Sequence, residues 1–467
     1  MKIKTTAVTL CLISLFSGFN IFGEEPKNNA AAEIANETIV LTLDDAVEYV
    51  LKNSRTLKSA DIDLEMKKRA AANGWNVFLP TMQVTGTLNR STEYSPQSAM
   101  LSALMSNPKS DFADEEEHWA TVGGFSLSWN FTPAYIGQIL TSRANYEAQK
   151  ISWEQTQQET VLNTKKLFYG LLLQQQSLEI QRNTLENARQ RVEQAQINYR
   201  NGAIPELVLL QNQVNYENQK PDLEQAERSF RQSLDMLAFL LGIPVGTDIK
   251  LEGSIEPVYV DVDYNTLISK YGENALNLKA LDQNIRLTDL GINTLALATY
   301  FPAIAVNYSW QPAYLGDAFG FASDIGKDSM WYDSGSLSLT VAWNLTNILP
   351  WSANQQQAKD LKQVKKQLAI TREILTENQK VEIRKAVDTL KDSRAQIENM
   401  SRNIELAQRA YDATYKSYRS GTVELLDLRD AENSLNQAKL GLASQKFNYI
   451  SALLDLENVL NTDLVNK

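Results

Sequence analysis

The chain has 467 residues, a formal net charge of −11 and a hydrophobic content of 43%. Its length suits two or three ordinary domains, and its acidic balance argues against a nucleic-acid partner, which calls for a basic surface. With only 12 Pro and 20 Gly in a chain rich in helix formers, the expected elements are few and long.

Lys2 and Lys4 precede a mostly apolar stretch from Ala7 to Phe22. Residues 1–23 therefore read as a signal peptide, with an uncleaved anchor as the alternative, because the stretch is too short for a comfortable spanning helix. The single cysteine, Cys11, lies inside it and follows Leu10, where a lipoprotein signal wants a small residue. Lipidation is not expected, and the mature chain would have no disulfide or thiol chemistry. No later run is long and apolar enough for a transmembrane helix, so any spanning part must be a closed β-barrel. Residues 24–40 read as a flexible N-terminal segment.

A shorter helical segment is expected over 42–77, stopped by Leu79-Pro80. A strand follows, with Val84, Gly86 and Leu88 alternating with Thr85, Thr87 and Asn89. A long polar connection, 95–118, carries Asp114 to Glu117 and the sole histidine, His118. In the next strand Phe125, Leu127, Trp129 and Phe131 alternate with Ser126, Ser128 and Asn130.

From about Ala134 a proline-free helix is expected, with an apolar residue at every seventh position: Leu171, Leu178, Leu185, Val192 and Tyr199. Gly202, in Tyr199-Arg200-Asn201-Gly202, falls where a C-cap glycine ends a helix. Such a helix is a rod of roughly 100 Å at 1.5 Å per residue. A helix near 206–241 descends through Leu209, Tyr216, Leu223, Phe230 and Leu237. The heptad period means long helices packed through a narrow seam.

The second half repeats this order: a helical segment over 264–299, Phe301-Pro302, two strands, a long ascending helix from about Ser352 and a descending helix near 424–461. Its strands alternate Ile304, Val306, Tyr308 and Trp310 with small residues, then Leu337, Leu339, Val341, Trp343 and Leu345, with a polar connection over 313–333 between them. Its heptads are Leu390, Ile397, Ile404, Tyr411 and Tyr418, then Leu428, Leu435, Leu442, Tyr449 and Leu456, each 219 residues beyond its counterpart. The turn repeats too, as Tyr418-Arg419-Ser420-Gly421. The chain thus divides into a first structural repeat, 41–245, a second, 246–461, and a tail, 462–467. The opening segments align through Asn53/Asn274, Leu57/Leu278 and Lys58/Lys279. A short opening helix stacked end to end on a descending helix would match one ascending helix in length.

Strands with one apolar and one small polar face suit a barrel in lipid, although a half-buried soluble sheet gives the same alternation. Six of the 8 tryptophans lie in or beside these strands, namely Trp119, Trp129, Trp310, Trp331, Trp343 and Trp351, as in a membrane-interface girdle. Long strand connections also suit an outer-membrane barrel. Four strands cannot close, so copies must pool them: two give eight and three give twelve. Small residues on the lumenal face favour an open channel, hence three copies or more.

No catalytic, cofactor or metal site is expected. One histidine beside flexible carboxylates is weak evidence for a metal, and Gly123-Gly124 lies in a strand with no Lys-Ser/Thr after it. Most helix carboxylates fall between seam positions, on solvated faces.

From about Leu41 to Asn461 the chain resembles the outer-membrane efflux proteins, the TolC-like channel-tunnels of diderm bacteria. The most specific marker is the run from Tyr418 through Gly421 to Leu425-Leu426-Asp427-Leu428-Arg429-Asp430. The resemblance implies an α+β membrane protein: a homotrimer with a 12-stranded β-barrel, four strands per chain, continued by a long α-helical coiled-coil barrel in the periplasm. It implies the exit duct of a tripartite efflux pump or type I secretion system in outer-membrane lipid, docked to a periplasmic adaptor and an inner-membrane pump of RND or ABC type. It also implies acidic rings at the periplasmic gate, at Asp427 and Asp430, whose first-repeat counterparts are Val208 and Gln211. Three residues apart, the two aspartates share a helix side; read without the resemblance, they are helix-start residues that cap and solvate. Some members carry a basic latch residue two positions after the turn glycine, where this chain has Val423. Arg419 and Arg429 are the nearby substitutes. The other reading of the whole chain is a periplasmic coiled-coil scaffold with an ordinary soluble sheet.

Overall fold

The computed structural model describes residues 38–90, 119–315 and 331–465. The expected signal peptide, nearly all of the N-terminal segment and most of both strand connections, with His118, lie outside the described residues. In chain order the elements are β1 (Ile39–Leu41), α1 (Leu43–Asn53), α2 (Arg55–Ala72), β2 (Thr81–Arg90), β3 (Trp119–Phe131), α3 (Ala134–Arg200), α4 (Glu206–Leu241), β4 (Ile249–Leu251), α5 (Tyr264–Tyr271), α6 (Leu276–Tyr300), β5 (Ala303–Leu315), β6 (Trp331–Ala342), α7 (Ala353–Arg419) and α8 (Leu425–Leu460). Short 3-10 turns, Gly74–Phe78 and Leu345–Ile348, precede β2 and α7. Two compact units result: one holds 70–143 and 287–364, the other 38–69, 144–286 and 365–465.

The first unit carries an antiparallel sheet in the order β2-β3-β5-β6. Its register puts like residues in rows across all four strands. Met82, Leu127, Tyr308 and Leu337 form one row, while Gln83, Ser126, Ser309 and Ser336 form the next. Polar neighbours bond across strands, Ser128 Oγ donating to Asn307 Oδ1 at 2.7 Å and Ser309 Oγ lying 2.8 Å from Ser336 Oγ. The alternation visible in each strand is therefore two-faced over the whole sheet. No residue of the sheet with a described side chain is buried, and Met82, Val84, Leu337, Leu339 and Val341 are each at least 63% exposed. At 10 to 13 residues the strands have membrane-spanning length. Among the described residues no helix is long and apolar enough to cross a membrane.

The second unit is held by two equivalent cores. In the first repeat, Phe168 and Leu171 of α3 pack with Leu237 and Leu241 of α4, under Val50 of α1. In the second, Ile383, Val387 and Leu390 of α7 pack with Tyr449, Leu453 and Leu456 of α8. Both ascending helices have 67 residues and both descending helices 36, each beginning and ending 219 positions after its counterpart. Pro221 sits inside α4 without ending it. Heptad positions of the ascending helices become less buried toward the turns, Leu171 and Leu390 being buried, Leu185 and Ile404 half-buried and Tyr199 exposed, whereas Leu209 and Leu428 at the start of the descending helices are buried.

Three expectations change. Each opening segment is two helices, not one. Ser54, with ψ of 125°, ends α1, and its carbonyl accepts from Lys58 N–H at 3.0 Å to start α2; the second repeat breaks between Tyr271 and Leu276. The aligned Asn53 and Asn274 mark these breaks, while Leu57 and Leu278 are buried beside them. At the first break Arg55, at the start of α2, lies 5.8 Å from the Phe239 ring near the end of α4, while α1 packs against α4 through Ala46 and Val50. Second, β6 ends at Ala342, so Trp343 and Leu345 lie beyond it. The Asn344 side chain accepts from Thr346 N–H at 3.2 Å, a local bond that competes with the ladder. Third, the segment expected to be flexible through residue 40 already contains β1, which pairs in parallel with β4 of the inter-repeat connection. That connection then crosses the second repeat, where Val260 N–H donates to Tyr449 Oη at 3.0 Å and Arg394 lies 5.2 Å from the Tyr259 ring.

Candidate functional site

The two turns between long helices are built alike. Gly202 and Gly421 have φ of +69° and +77°, a left-handed conformation that glycine adopts without a Cβ clash. Their N–H groups donate to Tyr199 and Tyr418 carbonyls at 2.9 and 3.0 Å, and the next residues, Ala203 and Thr422, donate to Asn198 and Ser417 at 2.8 and 3.0 Å. These are the paired bonds that close a helix C-terminus. Tyr199 is 40% exposed, whereas Tyr418 is half-buried and burial pushes its phenol up, with Arg191 opposing.

Both descending helices have an acidic first turn, Glu206 in α4 and Asp427 in α8, but only the second hairpin carries the aspartate pair Asp427 and Asp430. Asp427 stands at the third position of α8, and its Oδ2 accepts from Glu424 N–H at 3.3 Å, one half of a capping box. Asp430 lies one turn on. Both are exposed, with Leu428 between them fully buried. Asp427 thus performs the capping that its position alone suggests, and both carboxylates remain open to solvent. Arg429 is exposed and its Nη1 lies 3.5 Å from Asn215 Oδ1 of α4; Arg419 ends α7, also exposed.

Of the six tryptophans, Trp119 and Trp331 open β3 and β6, their side chains lying outside the described residues. Trp129 is 42% exposed and its Nε1 donates to the Phe78 carbonyl at 2.8 Å. Trp310 is half-buried in β5. Trp343 and Trp351 lie beyond β6, 50% and 75% exposed.

One feature near the second turn escaped the sequence reading. Glu432 of α8 is 3% exposed, the sole buried charged residue among the described residues. It lies four residues after Leu428 and three before Leu435, a seam position by heptad count. The next two positions of the same heptad phase are Lys439 and Lys446, so the sequence alone does not mark Glu432 as buried.

A family model for outer membrane efflux proteins matches residues 46–243 and 267–462, one stretch in each repeat. The chain belongs to the outer membrane efflux protein family. It is therefore a channel protein of the outer membrane and not an enzyme. Solved structures agree on the fold. The CmeC outer membrane channel of Campylobacter jejuni is 16% identical, with a TM-score of 0.69 over 90% of this chain and 85% of that one. VceC of Vibrio cholerae is 14% identical, with a TM-score of 0.65 over 90% and 96%. The open state of the Neisseria gonorrhoeae MtrE outer membrane channel is 15% identical, with a TM-score of 0.64 over 90% and 89%. No curated protein sequence matches the chain.

Proposed function

We propose that three copies of this chain pool their sheets into a closed 12-stranded barrel, with the long helices forming a periplasmic tunnel. The observation carrying this reading is the sheet itself. β2 and β6 are its edges within the chain, and an open edge in lipid leaves unpaired backbone groups at several kcal/mol each. Joining β6 of one copy to β2 of the next removes every edge. Small polar rows, such as Gln83, Ser126, Ser309 and Ser336, would then face water. The apolar rows, which no described part of the chain buries, would face lipid. A scaffold with a soluble sheet would have to cover that face.

The assembly is a passive exit duct of a tripartite efflux pump, working with a periplasmic adaptor and an energised inner-membrane pump; type I secretion is the other use of such a duct. Purification as a trimer in detergent, with cation-preferring conductance in planar bilayers, is the expected result. A stable monomer in the periplasmic fraction without detergent would favour the scaffold.

The exposed Asp427 and Asp430, six carboxylates in a trimer, form acidic rings at the periplasmic gate, and Arg419 and Arg429 latch the tips. Converging like charges attract cations. Asp427→Ala with Asp430→Ala is expected to raise conductance and weaken block by divalent cations; unchanged selectivity would remove the rings while leaving the fold untouched.

A further inference from the structure

Among the described residues, strands β2, β3, β5 and β6 hold just two charged side chains, Arg90 in β2 and Asp333 in β6. They are of opposite sign and stand on the two edge strands of the sheet. Both belong to the apolar face. Arg90 alternates in phase with Met82, Val84 and Leu88, and Asp333 with Leu337, Leu339 and Val341. Both are exposed, and within one chain β3 and β5 stand between them. A charge on an edge strand can serve simply to discourage pairing with a stray chain. That role asks for neither opposite signs nor matching heights.

The register inside the chain dictates what a junction between copies must do. Each row runs across the four strands without a slip, as from Met82 through Leu127 and Tyr308 to Leu337. The stagger that tilts the strands of a closed barrel therefore falls entirely at the junctions. With strands about 4.8 Å apart and a rise of about 3.3 Å per residue, twelve strands tilted by about 35–45° need a total stagger of roughly 12–17 residues. Three equal junctions share it, and each step must be even to keep the two faces continuous, which leaves a step of about four residues. Taken in one direction, that step leaves only 331–334 of β6 against 81–84 of β2. Taken in the other, it sets 333–342 of β6 against the whole of β2, 81–90. Met82 then meets Val341 and Val84 meets Leu339, while Gly86 receives Leu337 and Leu88 receives Gly335. In the same alignment Arg90 stands opposite Asp333.

We propose that Arg90 of one copy and Asp333 of the next form an ion pair across each β6–β2 junction, fixing the register in which three copies of this chain join. Strands that alternate apolar and small polar residues can slip by two and still match face to face. A slip here parts the two charges and leaves each on the lipid-facing side without its counter-charge. Directly opposite residues of antiparallel strands have Cβ atoms about 4.5–5.5 Å apart, within reach of a guanidinium–carboxylate bond. Arg90 is the last residue of β2 and Asp333 the third of β6. The pair thus stands at the rim of the sheet, where charge on a lipid-facing strand costs least.

This inference rests on the trimeric-barrel reading, and its test keeps the two apart. Heat dissociation of the full-length trimer in detergent is compared for the natural chain, Arg90→Asp, Asp333→Arg and the double reversal. Each single reversal is expected to lower the dissociation temperature by several degrees, and the double reversal to recover most of that loss. In a Cys11→Ser chain, Arg90→Cys with Asp333→Cys is expected to give disulfide-linked dimers and trimers on a denaturing gel, with Arg90→Cys alone and Asp333→Cys alone giving none of the trimer. Losses that add in the double reversal, or an assembled trimer that yields no cross-link, would overturn the pair while leaving the barrel standing. If a single reversal fails to assemble, the double reversal and the cross-link decide. A natural chain that purifies as a monomer would overturn the barrel reading and the pair with it.

Discussion

The two hairpins have the same backbone and different chemistry. Their turns share a positive-φ glycine and the same two closing hydrogen bonds, and their helices match in length, residue for residue. Past the turn they diverge. The first places Val208 and Gln211 where the second places Asp427 and Asp430, and it offers Arg191 to a Glu432 that has no charged counterpart in its own arm. Duplicated geometry builds the wall, and broken symmetry concentrates charge on one of two otherwise equal tips.

The equivalence can be attacked at the cores first. Leu237→Ala and Leu456→Ala remove matched side chains that are both fully buried. Each is expected to cost about 2–5 kcal/mol in denaturant unfolding; a large inequality would show that the two cores are not equivalent. Gly202→Ala and Gly421→Ala should each cost about 1–2 kcal/mol, because an L side chain is forced into the left-handed region. Matched losses would confirm that the turns act alike, and a loss confined to one would break the pairing.

The asymmetry can be sharpened by copying it. Val208→Asp with Gln211→Asp gives the first tip the acid of the second. Reversal-potential measurements are expected to show stronger cation preference if the acidic side chains line the gate. Asp427→Ala alone should also cost about 1 kcal/mol through the lost capping bond, visible as a lower melting temperature.

The smallest effect concerns Glu457, which stands where the first repeat has Ala238. Burial raises its carboxyl above the ordinary value, against the Leu464 N–H bond that favours the charged form. A raised folded pKa means the folded state holds the proton longer, so stability falls as pH rises from the ordinary carboxyl value through the raised one. Glu457→Gln keeps an acceptor for Leu464 N–H and loses the charge. Its melting temperature should be slightly higher at neutral pH and level with the natural chain well below the ordinary carboxyl value.

Much of this was legible because long-range order repeats locally. The ascending helices begin within a residue of where the proline-free heptads suggested, and the glycine C-caps end them. What escaped depended on contacts distant in sequence. β1 and β4 are three residues each and exist only as partners across the inter-repeat connection. The breaks at Ser54 and at Gly272 to Asn274 carry turn-forming residues whose signal the longer periodic runs masked.

Residue order by itself determined the duplication, the lengths of the long helices, the apolar seams and the two-faced strands, because each follows from a period of seven or two that one segment can carry. Only the tertiary structure decided which polar groups lie dry. Glu432 is one more carboxylate on a solvated-looking helix until α3 arrives beside α8 with Asn187 and Arg191, since burial and pairing belong to neighbouring helices and not to the segment that carries the charge.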